Sequence, residues 1–240
     1  VGNIILMGLA AGLGTTLGAV LVLLCGRLRY RTFSLLLGLA AGVMLAVIFF
    51  DLLPAALSRG RPLQCLEGVL AGLFLIAVID LFFIPDYYPN GAGRRYLALG
   101  YLIASGIAIH DLPEGLAIAA GYAEPLTLGP LLTLAIGLHN IPEGMATAAP
   151  LRAGGMSAGR VLALNLLVSL VTPLGSALGI VLIELSPAFI SFLLAFAGGA
   201  MSYIVFLKLL PESLRQYRPL ALSGLFWGIA FVVLLNMGLS

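Results

Sequence analysis

Residues 36–57, LLGLAAGVMLAVIFFDLLPAAL, return 157 positions later as LLAFAGGAMSYIVFLKLLPESL at 193–214. Ten of the 22 aligned positions are identical, among them Met44/Met201, Phe49/Phe206 and the Leu-Leu-Pro phrases at 52–54 and 209–211. Each copy is an apolar run of the length a helix needs to cross the hydrocarbon core, about 20 residues. Around them the chain is equally apolar: 61% of its 240 residues are hydrophobic and 9% charged, against about 25% charged in soluble domains. This composition belongs to an integral membrane protein.

Eight such runs are legible, at about 3–25, 33–57, 65–84, 97–120, 127–150, 161–184, 187–210 and 220–239. A misplaced boundary would reduce the count to six or seven. Alternation with a period of two does not dominate, which argues against a β-barrel. The first run lacks a basic start and reads as a span rather than a cleaved signal. The repeated segments are the second and seventh spans, five spans apart, so they cross in opposite directions. The predicted fold is therefore all-α and integral to the membrane, with eight transmembrane helices in a 3+2+3 arrangement. Spans one to three and six to eight form an inverted repeat, a plan that transporters use around a midplane site. Loops are short, and residues 1–240 read as one domain.

Arginine sets the expected orientation. One side carries Arg27, Arg29, Arg31, Arg94, Arg95, Arg152, Arg160, Arg215 and Arg218, the other only Arg59 and Arg61. The richer side is expected to be cytoplasmic, in the inner or plasma membrane, with both termini extracytoplasmic. Cys25 and Cys65 fall near opposite faces and cannot pair. The scattered basic residues give no reason to expect nucleic acid.

The chemistry concentrates in two phrases. HDLPEG begins at His110 and HNIPEG at His139, and these are the only two histidines in the chain. In each, the glutamate follows four residues on, at Glu114 and Glu143, which puts it on the histidine's face of a helix. Ionisable groups in mid-span are costly and mark function. Spans four and five are antiparallel, so His110 is expected level with Glu143 and Glu114 level with His139. Two glutamates in a low dielectric repel; one divalent cation cancels them, and neutral imidazoles complete a nitrogen–oxygen ligand set. That set suits Zn²⁺, and also Cd²⁺, Fe²⁺, Mn²⁺ or Co²⁺. Metal binding requires the ligands to lose protons, so acid opposes it. Pro113 and Pro142 are expected to kink the helices and free the carbonyls of Ile109 and Leu138. Gly115 and Gly144 are expected to permit close helix approach.

These motifs resemble those of ZIP (Zrt/Irt-like) divalent metal transporters of the prokaryotic type. The resemblance covers essentially the whole chain, through H-x-x-P-E-G in spans four and five, A-G-V-M in span two and G-G-A-M…L-L-P-E-S in span seven. It implies a first metal site of His110, Glu114, His139 and Glu143, approached by Met44. It implies a second, adjacent site drawing on Asp111 and Asn140, with the glutamates bridging. It also implies a homodimer and an elevator-like motion of spans one, four, five and six.

The chain departs from the family at that second site. Thr172 stands where members often carry the glutamate of a Glu-Pro pair, and Lys208, the only lysine, where they often carry an acid. One transported ion is therefore expected, with Lys208 tempering Asp111 or another acid near the inner exit. Asn165, Ser169 and Thr172 form a polar stripe expected to face inward. Asp51 is placed to draw cations in, and Asp80 and Glu212 to receive the departing ion. The expected function is transport of a divalent transition metal, most simply zinc, toward the cytoplasm, with no catalytic cofactor. The alternative is an intramembrane zinc-dependent hydrolase, which needs an open coordination position and a general base; no H-E-x-x-H phrase supplies them.

Overall fold

The computed structural model describes residues 2–26, 28–83, 92–122, 128–181 and 187–239. Arg27 lies outside them, as do the ends of the runs expected at 65–84, 127–150 and 161–184. All the regular structure among the described residues is helical: α1 (Gly2–Leu24), α2 (Tyr30–Ala46), α3 (Leu53–Arg59), α4 (Pro62–Phe83), α5 (Ala92–Gly121), α6 (Leu128–Ala153), α7 (Ala158–Ser169), α8 (Val171–Val181), α9 (Pro187–Ile204) and α10 (Leu210–Leu239). Six stretches among the described residues are long and apolar enough to cross a bilayer.

Two π-turns join helices end to end. Val47–Leu52 links α2 to α3, and Val205–Leu209 links α9 to α10. Each is followed by Leu and then Pro, at Pro54 and Pro211. Proline has no amide hydrogen and its ring crowds the carbonyl four residues back. A wider turn just before it takes up that crowding without ending the helix. The bends expected at Pro113 and Pro142 do not interrupt their helices, since α5 and α6 are α-helical across both. Regular helix does break at Tyr217, whose backbone is extended at φ −162° and ψ 95° inside α10. Leu170 parts α7 from α8.

The repeated segments lie against each other antiparallel. Ser34 donates to the carbonyl of Ser213 at 2.8 Å, and Ser213 donates back to the carbonyl of Ser34 at 2.7 Å. At the other end, Ser191 donates to the carbonyl of Ala56 at 2.8 Å. Ser34 and Ser191 are 157 residues apart, as are Ala56 and Ser213, so the two contacts are counterparts of one another.

Helix pairs close in the same mirrored way. A methyl group at Gly14 or Gly18 of α1 would strike the carbonyl of Gly137 or Ile141 on α6. One at Gly115 of α5 would strike the Thr172 carbonyl on α8, and one at Gly175 the Leu112 carbonyl on α5. Gly38 and Gly42 seat α2 on α10, and Gly72 and Gly199 seat α4 and α9 on each other. Within a membrane, lipid supplies no hydrophobic force between helices, and small residues that let backbones meet drive packing. Glycines thus seat the α1–α6, α5–α8, α2–α10 and α4–α9 contacts, and the first two of these flank α6 and α5 with α1 and α8.

Candidate metal centre

α5 and α6 each bury an H-x-x-P-E-G phrase. His110, Asp111, Glu114, His139, Asn140 and Glu143 are all buried, the most exposed at 6%. The helices pair in the register expected of antiparallel neighbours. His110 Nε2 lies 3.0 Å from Glu143 Oε2, and His139 Nε2 lies 3.0 Å from Glu114 Oε1. Four side chains from two copies of one phrase therefore meet as two crossed pairs.

The His110 ring is oriented from behind. Its Nδ1 is 3.0 Å from the carbonyl of Gly106, one turn earlier. A carbonyl only accepts, so Nδ1 carries a hydrogen and Nε2 is the atom turned to the carboxylate. Fixing one ring nitrogen through a backbone carbonyl is how proteins hold a metal-ligating imidazole. Asp111 Oδ1 is 3.5 Å from the same Nε2. One ligand atom from each of His110, Asp111 and Glu114 fits within 4.8 Å of the others.

Several oxygens here are buried without a protein hydrogen-bond partner. They are both carboxylate oxygens of Asp111, Glu114 Oε2, Glu143 Oε1 and Asn140 Oδ1. A buried polar atom without a partner costs about 1–3 kcal/mol, more if charged. Five such oxygens around two imidazole nitrogens form an acceptor-rich cage. A dication is the chemistry that such a set of nitrogen and oxygen donors suits.

The remaining candidates fall as follows. Asn140 donates to the carbonyl of Ala11 on α1 at 3.3 Å, which leaves its own oxygen toward the interior. Asn165, Ser169 and Thr172 are fully buried, as their spacing predicts. Ser169 Oγ lies 2.7 Å from Thr16 Oγ1, while Asn165 Oδ1 and Thr172 Oγ1 are unpartnered. Met44 is fully buried in the core of α2. Asp51, in the first π-turn, accepts a 2.7 Å hydrogen bond from Asn236 Nδ2. Lys208, in the second, pairs with Asp80 of α4 at 2.6 Å and not with Asp111.

Asp80 also accepts from Tyr203 at 2.7 Å. Glu212 is held by Arg95 at 2.6 Å and by Gln216. The two acids expected to receive a departing ion are therefore already engaged. Both cysteines are free, Cys25 exposed and Cys65 buried.

Two contributors escaped the sequence reading. Ser176 Oγ is buried and unpartnered. Ser176 stands four residues beyond Thr172, so the stripe's own period pointed to it. Asn236 gave no local signal, because its partner is 185 residues away.

The family described as ZIP Zinc transporter matches residues 85–236, which include both central phrases. The chain is 35% identical over 248 residues to the zinc transporter GufA of Myxococcus xanthus, covering 97% of each protein. It is 37% identical to the zinc transporter ZupT of Chlorobium phaeovibrioides, covering 96% of this chain and 95% of that one. It is 31% identical to the zinc transporter ZTP29 of Arabidopsis thaliana, with 93% and 90% covered. Similarity that runs from one end of the chain to the other, and takes in the crossed histidine–glutamate phrases, shows that this protein belongs to the ZIP family of transporters.

Proposed function

We propose that the protein carries a divalent transition metal, zinc in the first place, across the membrane toward the cytoplasm, and that the crossed His–Glu pairs of α5 and α6 are its transport site. The observation that carries this reading is the cage itself. His110, Glu114, His139 and Glu143 converge with carboxylate oxygens to spare, out of bulk water. Two glutamates and one dication are together neutral, which is what a low-dielectric interior tolerates. Each His–Glu contact shares a hydrogen between nitrogen and oxygen; a dication takes its place, and the released protons make binding weaker in acid. Met44, Asp111 and Asn140 are assigned supporting roles around that ion, and Asn165, Ser169 and Thr172 line its path.

In the same reading the chain crosses the membrane eight times in a 3+2+3 order. α2 and α3 form one span, α7 and α8 another, and the extended Tyr217 divides α9–α10 into the last two. Residues 188–238 as one helix would run about 75 Å, more than twice the hydrocarbon core. The antiparallel serine contacts and mirrored glycine seats support an inverted repeat. The arginine distribution supports a cytoplasmic face at the start of α5 and the end of α6, with both termini outside. A second copy is taken to dock on the second, third, seventh and eighth spans, where Leu66, Leu70 and Phe74 of α4 form an exposed apolar row.

Neither Thr172 nor Lys208, which is held on Asp80, supplies a carboxylate to the cage, so the site is assigned one ion per chain. Its relatives are transporters, and the hydrolase alternative gains no support from them. The test is uptake of Zn²⁺ into vesicles holding the purified protein and a trapped indicator. Wild type fills the vesicles, and His110→Ala/His139→Ala does not. Equal uptake by both proteins would remove the assignment.

A further inference from the structure

Hydrogen bonds and glycine seats sort the helices into two groups. The first holds α1, α5, α6, α7 and α8, joined by backbone-to-backbone glycine seats, the Thr16–Ser169 and Asn140–Ala11 contacts and the crossed His–Glu pairs. The second holds α2, α3, α4, α9 and α10, joined by their own seats and by the Ser34–Ser213, Ser191–Ala56, Asp51–Asn236 and Lys208–Asp80 contacts. The seam between the groups is built differently. A methyl group on Gly106 of α5 would meet the end of the Ile204 side chain of α9, not a backbone carbonyl. Helices packed through side chains can slide by small steps.

At the arginine-rich end the seam is tied. Arg95 of α5 donates to Glu212 Oε2 of α10 at 2.6 Å. Gln216, one turn further along α10, donates to Glu212 Oε1 at 2.6 Å and to the Tyr96 hydroxyl at 2.8 Å. Two adjacent residues of one group and two of the other thus close a ring across the seam. The Tyr96 ring also meets Phe33 of α2 edge-on, with centroids 5.3 Å apart. An exposed ion pair contributes little, but the Glu212 side chain is only 6% exposed and takes its balancing charge from the opposite group. Pulling the groups apart there strips a buried carboxylate of its partner, which is costly.

The ring stands over one way out of the cage. Tyr96, Ile103 and His110 recur every seven residues, on one stripe of α5, and Tyr96 is about 21 Å from His110 along the axis. Between them Ile103 and Ile107 are fully buried. What exposure the crossed pairs have is at Glu114 and His139, on the far side, while His110 and Glu143 have none. The ring also has no twin. The 157-residue offset that duplicates the serine contacts puts Ala55 and Arg59 where Glu212 and Gln216 stand.

We propose that Arg95, Tyr96, Glu212 and Gln216 form a clasp that holds the seam shut at the arginine-rich end, and that it opens for a metal ion to leave the cage on that side. This rests on the transport reading above. The clasp sets how much of the empty protein stands closed at that end and ready to load from the other.

The first test needs no zinc. In the full chain carrying Cys25→Ser and Cys65→Ser, Ile103→Cys places a thiol beneath the clasp, and its labelling by a charged maleimide is timed in detergent. Glu212→Gln is expected to speed labelling about tenfold, and the exchange Arg95→Glu/Glu212→Arg to bring it back to within about threefold. Ile118→Cys, buried inside the first group, is the control for general loosening and stays slow in every background. In vesicles, Glu212→Gln is expected to raise KM for Zn²⁺ about threefold while kcat holds or rises, because a smaller fraction of the empty protein is ready to load.

Unchanged labelling of Ile103→Cys in Glu212→Gln, equal acceleration of Ile118→Cys, an exchange variant as fast as Glu212→Gln, or a KM left at the wild-type value would overturn the clasp and leave the transport reading intact. Wild-type protein that moves no Zn²⁺, or a Glu143→Gln variant that moves as much, would instead overturn the reading beneath it.

Discussion

Glu143 reaches from α6 to His110 on α5, with 3.0 Å between carboxylate oxygen and imidazole nitrogen, while Gly106 fixes the far side of the same ring. The ring is thus clamped between a backbone carbonyl and a charge, both fully buried. On the proposed site, truncating any one of the four crossed residues would remove a metal donor, and it strands the partner opposite it. Apparent binding energies of structural zinc sites are about 10–16 kcal/mol over four ligands, so one ligand accounts for roughly 2.5–4 kcal/mol. His110→Ala, Glu114→Ala, His139→Ala and Glu143→Ala are each expected to weaken Zn²⁺ binding by about a hundredfold to a thousandfold. Calorimetric titration of the purified variants checks this, and any member of the set that keeps wild-type affinity is not a ligand.

The one-ion proposal rests on Thr172, which supplies no carboxylate; on that proposal the oxygens of Asp111 and Asn140 would serve the one ion in the cage. Elemental analysis of protein saturated with Zn²⁺ and freed of excess should give one metal per chain. Two would show that Asp111 and Asn140 build a separate site despite the threonine.

The glycine seats predict where small changes are large. A methyl group on Gly144 would strike the backbone carbonyl of Thr15, which cannot rotate away. Gly144→Ala is therefore expected to push α1 from α6, destabilise the protein by about 1–3 kcal/mol and disturb the adjacent Glu143. Gly159, near the start of α7, faces nothing within 4 Å. Gly159→Ala should be neutral or raise stability by up to about 1 kcal/mol through helix propensity. Thermal unfolding in detergent compares the two, and equal stability of both variants contradicts the packing account.

The Lys208–Asp80 pair is mostly buried, with side chains 24% and 15% exposed. Removing one partner leaves the other charge without its counter-ion. Lys208→Met and Asp80→Asn should each destabilise by about 1–3 kcal/mol, and the double variant should lose less than the sum, with coupling of at least about 1 kcal/mol. Additive losses in that cycle would mean that the contact contributes nothing.

The parts of this site that a reader of the sequence can reach are those set by short periods. A spacing of four fixes which faces His110 and Glu114 share, and two antiparallel copies of one phrase fix the crossed pairing with Glu143 and His139. The stripe Asn165–Ser169–Thr172 is legible for the same reason, and extending it by one turn finds Ser176. Lys208 is different. The sequence marks it as unusual but not that Asp80 would hold it, because that contact joins residues on helices that no local pattern links. Asn236 is hidden from Asp51 in the same way. The π-turns were hidden for another reason. Leu-Leu-Pro marks both places, but proline at Pro113 and Pro142 leaves α-helix intact, so the residue alone does not announce the wider turn.

A π-turn closes one revolution with one residue more than an α-turn, so the surplus is absorbed where it stands and the flanks keep the facing they would have in an uninterrupted α-helix. Deleting a single residue between Val47 and Leu52 would let the turn tighten into α-helix with Ala46 and Leu53 on its flanks still facing their present neighbours. Only the residues inside the turn would be re-aimed, Asp51 among them, and its hold on Asn236 would go. Each of these two stretches therefore stores a spare residue, and the aim of the acid on one and the base on the other depends on keeping it.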